Sequence, residues 1–254
     1  TYTVTVSSGV GCSASDNLTV TVNALPTASA GNDETICAND STVLSASGAS
    51  NYTWSPATGL SNSGAANTFA FPNSTTTYTV TATDGNGCTD TDDVTVVVNA
   101  LPLADAGNDI AICDGGNGGQ LNASGGATYS WSPATGLSDA SVANPAANPS
   151  ATTTYIVTVT SADGCSEQDD VVVTVGNVTA AISGVDTICE GTSTTLTASG
   201  GDFYDWSSGD VTAATTISPI STSDYWVTVS DVNGCEDSAA ITVLVHPAPV
   251  AVTG

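Results

Sequence analysis

The sequence contains no lysine, arginine or methionine and one histidine, against 25 aspartates and glutamates, for a net charge of −25 over 254 residues. In an ordinary protein about a quarter of residues are charged, so roughly 30 cationic side chains would be usual at this length. Their absence excludes several functions. Nucleic-acid affinity rests on Lys and Arg neutralising phosphates, and none is present. Anionic membrane surfaces are disfavoured for the same reason. No salt bridge to a basic side chain can form, which costs little, since exposed pairs contribute about 0–1 kcal/mol each. Self-repulsion is the larger concern, and salt or divalent cations relieve it. Trypsin-type proteases have no site to cut. No apolar run approaches the ~18 residues of a transmembrane helix, and no signal peptide opens the sequence. Residue 1 falls inside TYTVTV, which reads as a strand, so the sequence is expected to be a piece of a longer polypeptide. A sustained 3.6-residue period is also missing, which argues against helices.

What is present is repetition. WSPATGLS occurs at 54–61 and at 131–138, and NALP at 23–26 and 99–102. AGND recurs at 30–33 and 106–109. The cysteines keep the same spacing in two series, Cys37, Cys113, Cys189 and Cys12, Cys88, Cys165, Cys235. A shorter third copy carries TICEG at 187–191, FYDWSSG at 203–209 and TVSDVNGC at 228–235. These repeats delimit the closing strands of a preceding domain (1–24), three domains (25–100, 101–176, 177–246) and the start of another (247–254). The linkers at ALP and HPAP are short and proline-bearing, which favours a semi-rigid string.

Each repeat reads as all-β. YTVTATD, YIVTVTS and YWVTVSD alternate and are rich in Val and Thr, as half-buried strands are. DGNG, ADG and DVNG supply hairpin turns with Gly or Asn where φ must be positive. About seven short strands per repeat predict a tandem array of immunoglobulin-like β-sandwiches forming an elongated rod. Strand A is expected at PTASAGNDETIC, B at STVLSAS, C at NYTWSP, weaker D and E after it, F at TYTVTAT and G at CTDTDDVTVVV. Trp54, Trp131 and Trp206 sit where such a sandwich buries a strand-C tryptophan. Tyr78, Tyr155 and Tyr225 open strand F and are expected to face inward.

The set TICxxxxTxLxASG, YxWSPATGLS, TTTYxVTVTxxxGC and TVxVNxLP, in this order, resembles the tandem immunoglobulin-like (PKD-like) repeats of giant surface and secreted proteins of the Bacteroidota. The resemblance covers essentially the whole chain. It implies an outer-surface stalk or adhesin, exported by type IX secretion, with no enzymatic activity in the repeats. The repeat 177–246 departs from the pattern by lacking PATGL after Trp206.

Seven cysteines in such repeats argue for disulfides in an oxidising compartment. No CxxC is present to suggest a thiolate metal site. Two pairings are open. Within repeats the bonds would be Cys37–Cys88, Cys113–Cys165 and Cys189–Cys235. Strand direction favours the other. Cys37 precedes strand B and Cys88 follows the F–G hairpin, at opposite ends of a sandwich. A strand of about seven residues separates those ends by roughly 20 Å, whereas a disulfide needs Cα atoms about 4.4–6.8 Å apart. Across repeat borders the bonds would be Cys37–Cys165 and Cys113–Cys235, with Cys12, Cys88 and Cys189 paired outside this sequence.

Carboxylates recur near the A and G strands: Asp33 with Asp90, Asp92 and Asp93; Asp109 with Glu167, Asp169 and Asp170; Asp186 with Glu236 and Asp237. Ca²⁺ takes six to eight oxygen ligands, so Asp33, Asp90, Asp92, Asp109, Glu167 and Asp169 are candidate ligands, against a solvated acidic face. No EF-hand loop is present, and no cofactor is required. Trp226 is expected to point outward if Tyr225 points inward, offering a surface for a sugar or a partner, or packing under its neighbours. The single histidine, His246, borders Pro247, so a Ser-His-Asp unit would need a distant serine. Paired carboxylates acting on glycosides would need a concave site that narrow sandwiches rarely provide. No enzyme is expected. Asn-x-Ser/Thr triplets at Asn17, Asn39, Asn51, Asn73, Asn122 and Asn177 follow from a Ser/Thr/Asn-rich composition. The leading expectation is an extracellular, cell-surface structural segment of a stalk or filament. It would be stiffened by disulfides and partnered by neighbouring repeats. The alternative is a carbohydrate- or surface-binding module, and self-association into filaments stays open.

Overall fold

A computed structural model of the chain describes residues 1–249, so positions 250–254 of the expected following domain lie outside the described residues. The chain divides into two compact units, Thr1–Leu101 and Pro102–Gly254.

In the first unit a hairpin, β1 (Tyr2–Ser7) with β2 (Ser13–Leu18), precedes one sandwich. That sandwich contains β3 (Glu34–Cys37), β4 (Thr42–Ser45), β5 (Asn51–Ser55), β6 (Asn67–Ala70), β7 (Thr76–Thr83) and β8 (Thr89–Asn99). One sheet runs in the order β3-β8-β7-β5 and the other pairs β4 with β6. β3 and β8 are parallel, with Cys37 beside Asn99. The apolar alternation of β7 and β8 buries Tyr78, Val80, Val94 and Val96 against Leu44, Trp54 and Ala70. A pleated strand sends alternate side chains to opposite faces, so Thr77, Thr79 and Thr81 lie on the outer face.

The second unit holds two sandwiches with separate cores. The first comprises β9 (Ile110–Cys113), β10 (Gly119–Gln120), β11 (Thr128–Ser132), β12 (Ala146–Ala147), β13 (Thr153–Thr160) and β14 (Ser166–Gly176). Its sheets are β11-β13-β14-β9 and β10-β12. The shortness of β10 and β12 follows from composition: DGGNGGQ and NPAANP surround them with glycine and proline, which weaken ladders. The second comprises β15 (Ala181–Gly184), β16 (Thr187–Cys189), β17 (Thr194–Ser199), β18 (Phe203–Trp206), β19 (Ala214–Ile217), β20 (Ser223–Ser230) and β21 (Glu236–His246). Its sheets are β16-β21-β20-β18 and β15-β17-β19. All three sandwiches are all-β and immunoglobulin-like. One layer holds the second part of strand A, here A′ (β3, β9, β16), with G (β8, β14, β21), F (β7, β13, β20) and C (β5, β11, β18). The other holds B (β4, β10, β17) and E (β6, β12, β19), joined in the third by β15.

Two strand expectations need correction. Strand A is not continuous. It touches strand B through one bridge, Ser29 to Ser47 or Asp105 to Ser124, then leaves that sheet to run parallel to strand G. The third repeat extends the first part into β15, paired with β17. Strand D does not form in the first two repeats. WSPATGLS makes an irregular loop instead, containing cis Ser55–Pro56 and Ser132–Pro133, and returns as single bridges from Leu60 to Ala70 and Leu137 to Ala147.

The crossing of strand A explains the recurrent ASG. Gly48, Gly125 and Gly200 have φ of +102°, +103° and +113°, and an added Cβ would lie 1.7–1.9 Å from the carbonyl oxygens of Thr27, Leu103 and Thr179. Strand A passes over this position at backbone contact. Gly125→Ala is therefore expected to destabilise its sandwich by about 2–5 kcal/mol, adding left-handed strain to overpacking. Urea denaturation would check this, with exposed Gly85→Ala as the control.

Candidate functional site: cysteine junction, acidic edge and an exposed tryptophan

The cysteine that opens each strand G is placed by a turn of form Asp/Ser-x-x-Gly-Cys. In the last repeat, Asp231 Oδ1 accepts hydrogen bonds from Asn233 N at 2.8 Å and Cys235 N at 2.9 Å. Asp231 N donates to Cys235 O, and Gly234 N to Asp231 O. Asp84 holds Asn86 N and Cys88 N in the same way, at 2.8 Å each. Ser161 Oγ takes the role for Cys165 N at 3.2 Å. Ser8 and Cys12 share the backbone pattern. Donation by backbone N–H groups, Cys88 N and Cys235 N foremost, holds the Asp84 and Asp231 carboxyls below the usual value.

The other cysteine series closes strand A′. Cys113 lies beside Gly176, the last residue of β14, and Asp114 N donates to Gly176 O. The chain enters the next sandwich there. Cys113 and Cys235 are joined by a disulfide with Cα atoms 5.4 Å apart and a sequence separation of 122. Cys113 is thus bonded to Cys235 and not to Cys165 of its own repeat. Gly176 fits beneath this bond, because a Cβ there would lie 2.7 Å from Cys235 Sγ and 2.5 Å from Asp231 Oδ2. Cys12, Cys88 and Cys189 are free thiols, whereas Cys37 and Cys165 are not. Cys189 is therefore not bonded to Cys235, nor Cys37 to Cys88.

The acidic residues near strands A and G are distributed along the sandwich edge rather than gathered around a point. Asp90 Oδ2 accepts from Ala28 N at 2.9 Å, Asp92 Oδ2 from Ala30 N at 2.8 Å, and Asp33 Oδ1 from Thr95 N at 2.8 Å. The second sandwich repeats this with Asp169 on Ala106 N and Asp109 on Val172 N, both at 2.8 Å. The third has Asp237 on Ala180 N at 2.9 Å, and that donor holds the Asp237 carboxyl low. Glu167 is exposed on β14 opposite Val159, and Asp93 and Asp170 face outward opposite Thr79 and Ile156. Asp186 contributes its backbone carbonyl to Leu244 N. Among the described residues no three His, Cys, Asp or Glu side chains converge as a metal ion would require. Five of the six candidate calcium ligands instead accept hydrogen bonds from backbone N–H groups where strand A crosses between the sheets: Asp90, Asp92 and Asp169 from strand A, and Asp33 and Asp109 from strand G.

Trp54, Trp131 and Trp206 are buried, and each Nε1 donates to a loop carbonyl, of Ala65, Val142 and Thr212. Tyr78 and Tyr155 are fully buried, with hydroxyls donating to Thr58 O and Thr135 O of the PATGL loops. Burial raises both phenol pKa values. The loop glycine is tied to this contact, since a Cβ on Gly59 or Gly136 would lie 2.8–2.9 Å from the tyrosine oxygen. Tyr225 is only partly buried against the third core. The third repeat has no PATGL loop to cover its hydroxyl. His246 is exposed at the end of β21, where its carbonyl accepts from Glu190 N.

Trp226 projects from the outer face of β20 and is 55% exposed. It stands opposite Ala240, with Asp224 two residues along the same strand and Asp205 on β18 opposite Thr228. Thr242 Oγ1 donates to Asp224 Oδ1 at 2.6 Å. Phe203, 58% exposed, shares this face. Sequence reading identified Trp226 but missed Asp205 and Phe203, because which side of β18 faces out depends on its pairing with β20. It also missed Asp224, which the alternation of β20 places on the same side as Trp226. The capping Asp84 and Asp231 were also missed, although the fixed spacing Asp/Ser-x-x-Gly-Cys carried that signal.

No family model and no curated protein matches the chain. Solved structures do. A three-domain immunoglobulin fragment of titin, in a Glu-to-Ala variant, aligns with TM-score 0.45 at 10% identity, covering 90% of this chain and all of that one. The N-terminal eight immunoglobulin domains of Down Syndrome Cell Adhesion Molecule give TM-score 0.40 at 16% identity, over 88% of this chain and 37% of that one. Immunoglobulin domains 1–4 of Sidekick-1 give 0.38 at 11%, over 87% and 76%. Likenesses this distant carry no functional argument.

The turn and edge carboxylates have testable consequences. A carboxyl whose folded pKa is depressed stabilises above its unfolded value, near 3.9, and loses that contribution as pH falls through the folded pKa. Asp231→Ala is expected to lower the thermal midpoint at pH 7, and the deficit relative to the parent should shrink as pH falls from the unfolded-state value through the depressed folded one. Asp92→Ala, which strands Ala30 N, is expected to cost about 1–2 kcal/mol in urea denaturation, with and without a calcium chelator.

Proposed function

We propose that this chain is a structural segment of a long extracellular stalk or adhesin of the Bacteroidota kind its repeats resemble, holding a distal functional domain away from the cell. The observation that carries this reading is the Cys113–Cys235 disulfide, which joins one immunoglobulin-like sandwich to the next. A bond within a sandwich would stabilise that sandwich. A bond between consecutive sandwiches restricts bending at their border, which is what a spacer requires. An oxidising location outside the cytoplasm accords with it.

Repeat equivalence extends the pattern. Cys37 occupies the position of Cys113, and Cys165 that of Cys235, so a Cys37–Cys165 bond is the matching proposal. Cys189 would bond to the next repeat downstream, and Cys12 and Cys88 to repeats upstream. A second reading, direct binding by the repeats to polysaccharide or another surface, has the exposed Trp226 in its favour.

Disulfide mapping by mass spectrometry of the unreduced chain, cut with Asp- and aromatic-directed proteases, is expected to show Cys113 linked to Cys235 and Cys37 linked to Cys165. Any Cys37–Cys88 or Cys113–Cys165 peptide would overturn the braced-spacer reading. Small-angle scattering is expected to show a broader distribution of lengths for Cys113→Ser than for the parent. Identical curves would mean that the bond does not limit bending.

A further inference from the structure

The outer face of the A′GFC sheet differs among the three sandwiches in a way that points to a ligand class. In the first, strands C and F carry Thr53, Thr77 and Thr79 there, with Asp93 opposite Thr79. In the second they carry Ser130, Thr154 and Ile156, with Asp170 opposite Ile156. In the third the corresponding residues are Asp205, Asp224 and Trp226, with Ala240 opposite Trp226. Three changes coincide. The aromatic ring arrives, the carboxylate beside it is replaced by a methyl group that leaves the ring uncovered, and two neighbouring hydroxyls become carboxylates.

Carboxylates can accept hydrogen bonds from sugar hydroxyls as well as pair with a cation, so charge has to decide between them. A neutral sugar leaves two carboxylates beside the ring uncompensated, whereas a cation compensates them. The ring face attracts a guanidinium or ammonium group, Trp most strongly of the aromatics, and the carboxylates neutralise it. One Asp224 oxygen is already oriented by Thr242. The chain contains no Lys or Arg to compete for these acids, so this sequence cannot supply the occupant from a second copy of itself. Its net charge of −25 also draws cationic segments from a distance.

We propose that the Trp226–Asp224–Asp205 face of the last sandwich docks an arginine- or lysine-bearing segment of a different protein. Phe203, four residues along the strand register and roughly 13 Å away, provides a second apolar contact on the same face. The inference rests on the direct-binding reading and not on the spacer reading, so the two can fail separately.

The test is isothermal titration calorimetry of the intact, unreduced chain with a hexa-arginine peptide, a neutral Gly-Ser peptide and a neutral glucan oligosaccharide, a readout that survives removal of the tryptophan. Working at 0.15 M salt screens exposed charges beyond about 8 Å. In the parent the other three tryptophans are buried, so a change in tryptophan fluorescence on peptide addition locates the contact at Trp226. The arginine peptide should bind saturably and the other two should not. Trp226→Thr, which restores the residue of the first sandwich, should weaken binding about three- to tenfold. Asp205→Asn with Asp224→Asn should weaken it at least as much, because an amide keeps hydrogen bonding but loses the charge. Unchanged affinity in either variant would overturn the proposal by showing diffuse attraction to an acidic chain. Glucan binding lost in Trp226→Thr, without peptide binding, would overturn the cation while sparing direct binding. No ligand bound by the parent would overturn both.

Discussion

A carboxylate in this chain has no cationic side chain to pair with, and that constraint shapes much of the structure. Its remaining partners within the chain are N–H and O–H groups, and the backbone offers N–H groups wherever a strand leaves its ladder. Strand A does so in every sandwich, crossing from the B side to the G side. Asp90, Asp92 and Asp33 in the first sandwich, with Asp169 and Asp109 in the second, meet the N–H groups exposed there. The crossing keeps its polar groups satisfied without a continuous strand. Ionised acceptors make stronger hydrogen bonds than neutral ones, so an all-acidic composition serves the fold at these positions as well as its solubility.

The same chemistry sets the cysteines. Asp231 and Asp84 collect the N–H groups of a tight turn and fix the residue that follows the glycine. That residue is always cysteine. Strand A′ ends in the other cysteine beside the end of strand G, where the chain passes to the next sandwich. A local turn and a parallel strand pair therefore bring Cys113 and Cys235 together across 122 residues, and Gly176 leaves the space they need. Trp226 stands apart from this framework. It is the one large aromatic at a position where the other two sandwiches carry Thr79 and Ile156.

Much of the fold was legible in the sequence because period-two alternation in segments such as YTVTATD records burial directly. The strand-C tryptophans and the tyrosines of strand F followed from the same alternation. Tyr225 also faces its core but is only partly buried, in a repeat that lacks the PATGL loop. Strand D was expected from continuity of pattern, but a loop closed around a tyrosine hydroxyl replaced it. The acids left two readings open, a calcium site or a solvated face, for a physical reason. Asp33, Asp90 and Asp92 are close in the repeat pattern, and in the fold each reaches a different backbone donor along an edge. Direction of a side chain along an edge is set by tertiary pairing, and spacing does not encode it. The cysteine series was informative because strand direction alone separates the two ends of a sandwich.

The parallel pairing of A′ with G has a mechanical meaning. Tension applied through the chain enters a sandwich at the start of A′ and leaves at the end of G. Between β9 and β14 those two ends point in opposite directions along the same ladder. Without a crosslink a pull would shear the bonds from Ile110 to Cys113 together instead of unzipping them one at a time. The Cys113–Cys235 bond reroutes that force. Tension entering along β9 passes through the two sulfurs to Cys235 and leaves along β21, so residues 114–234 form a loop that carries none of it. Extensional load is then borne by covalent chain along β9 and β21, and the ladders inside the loop are spared.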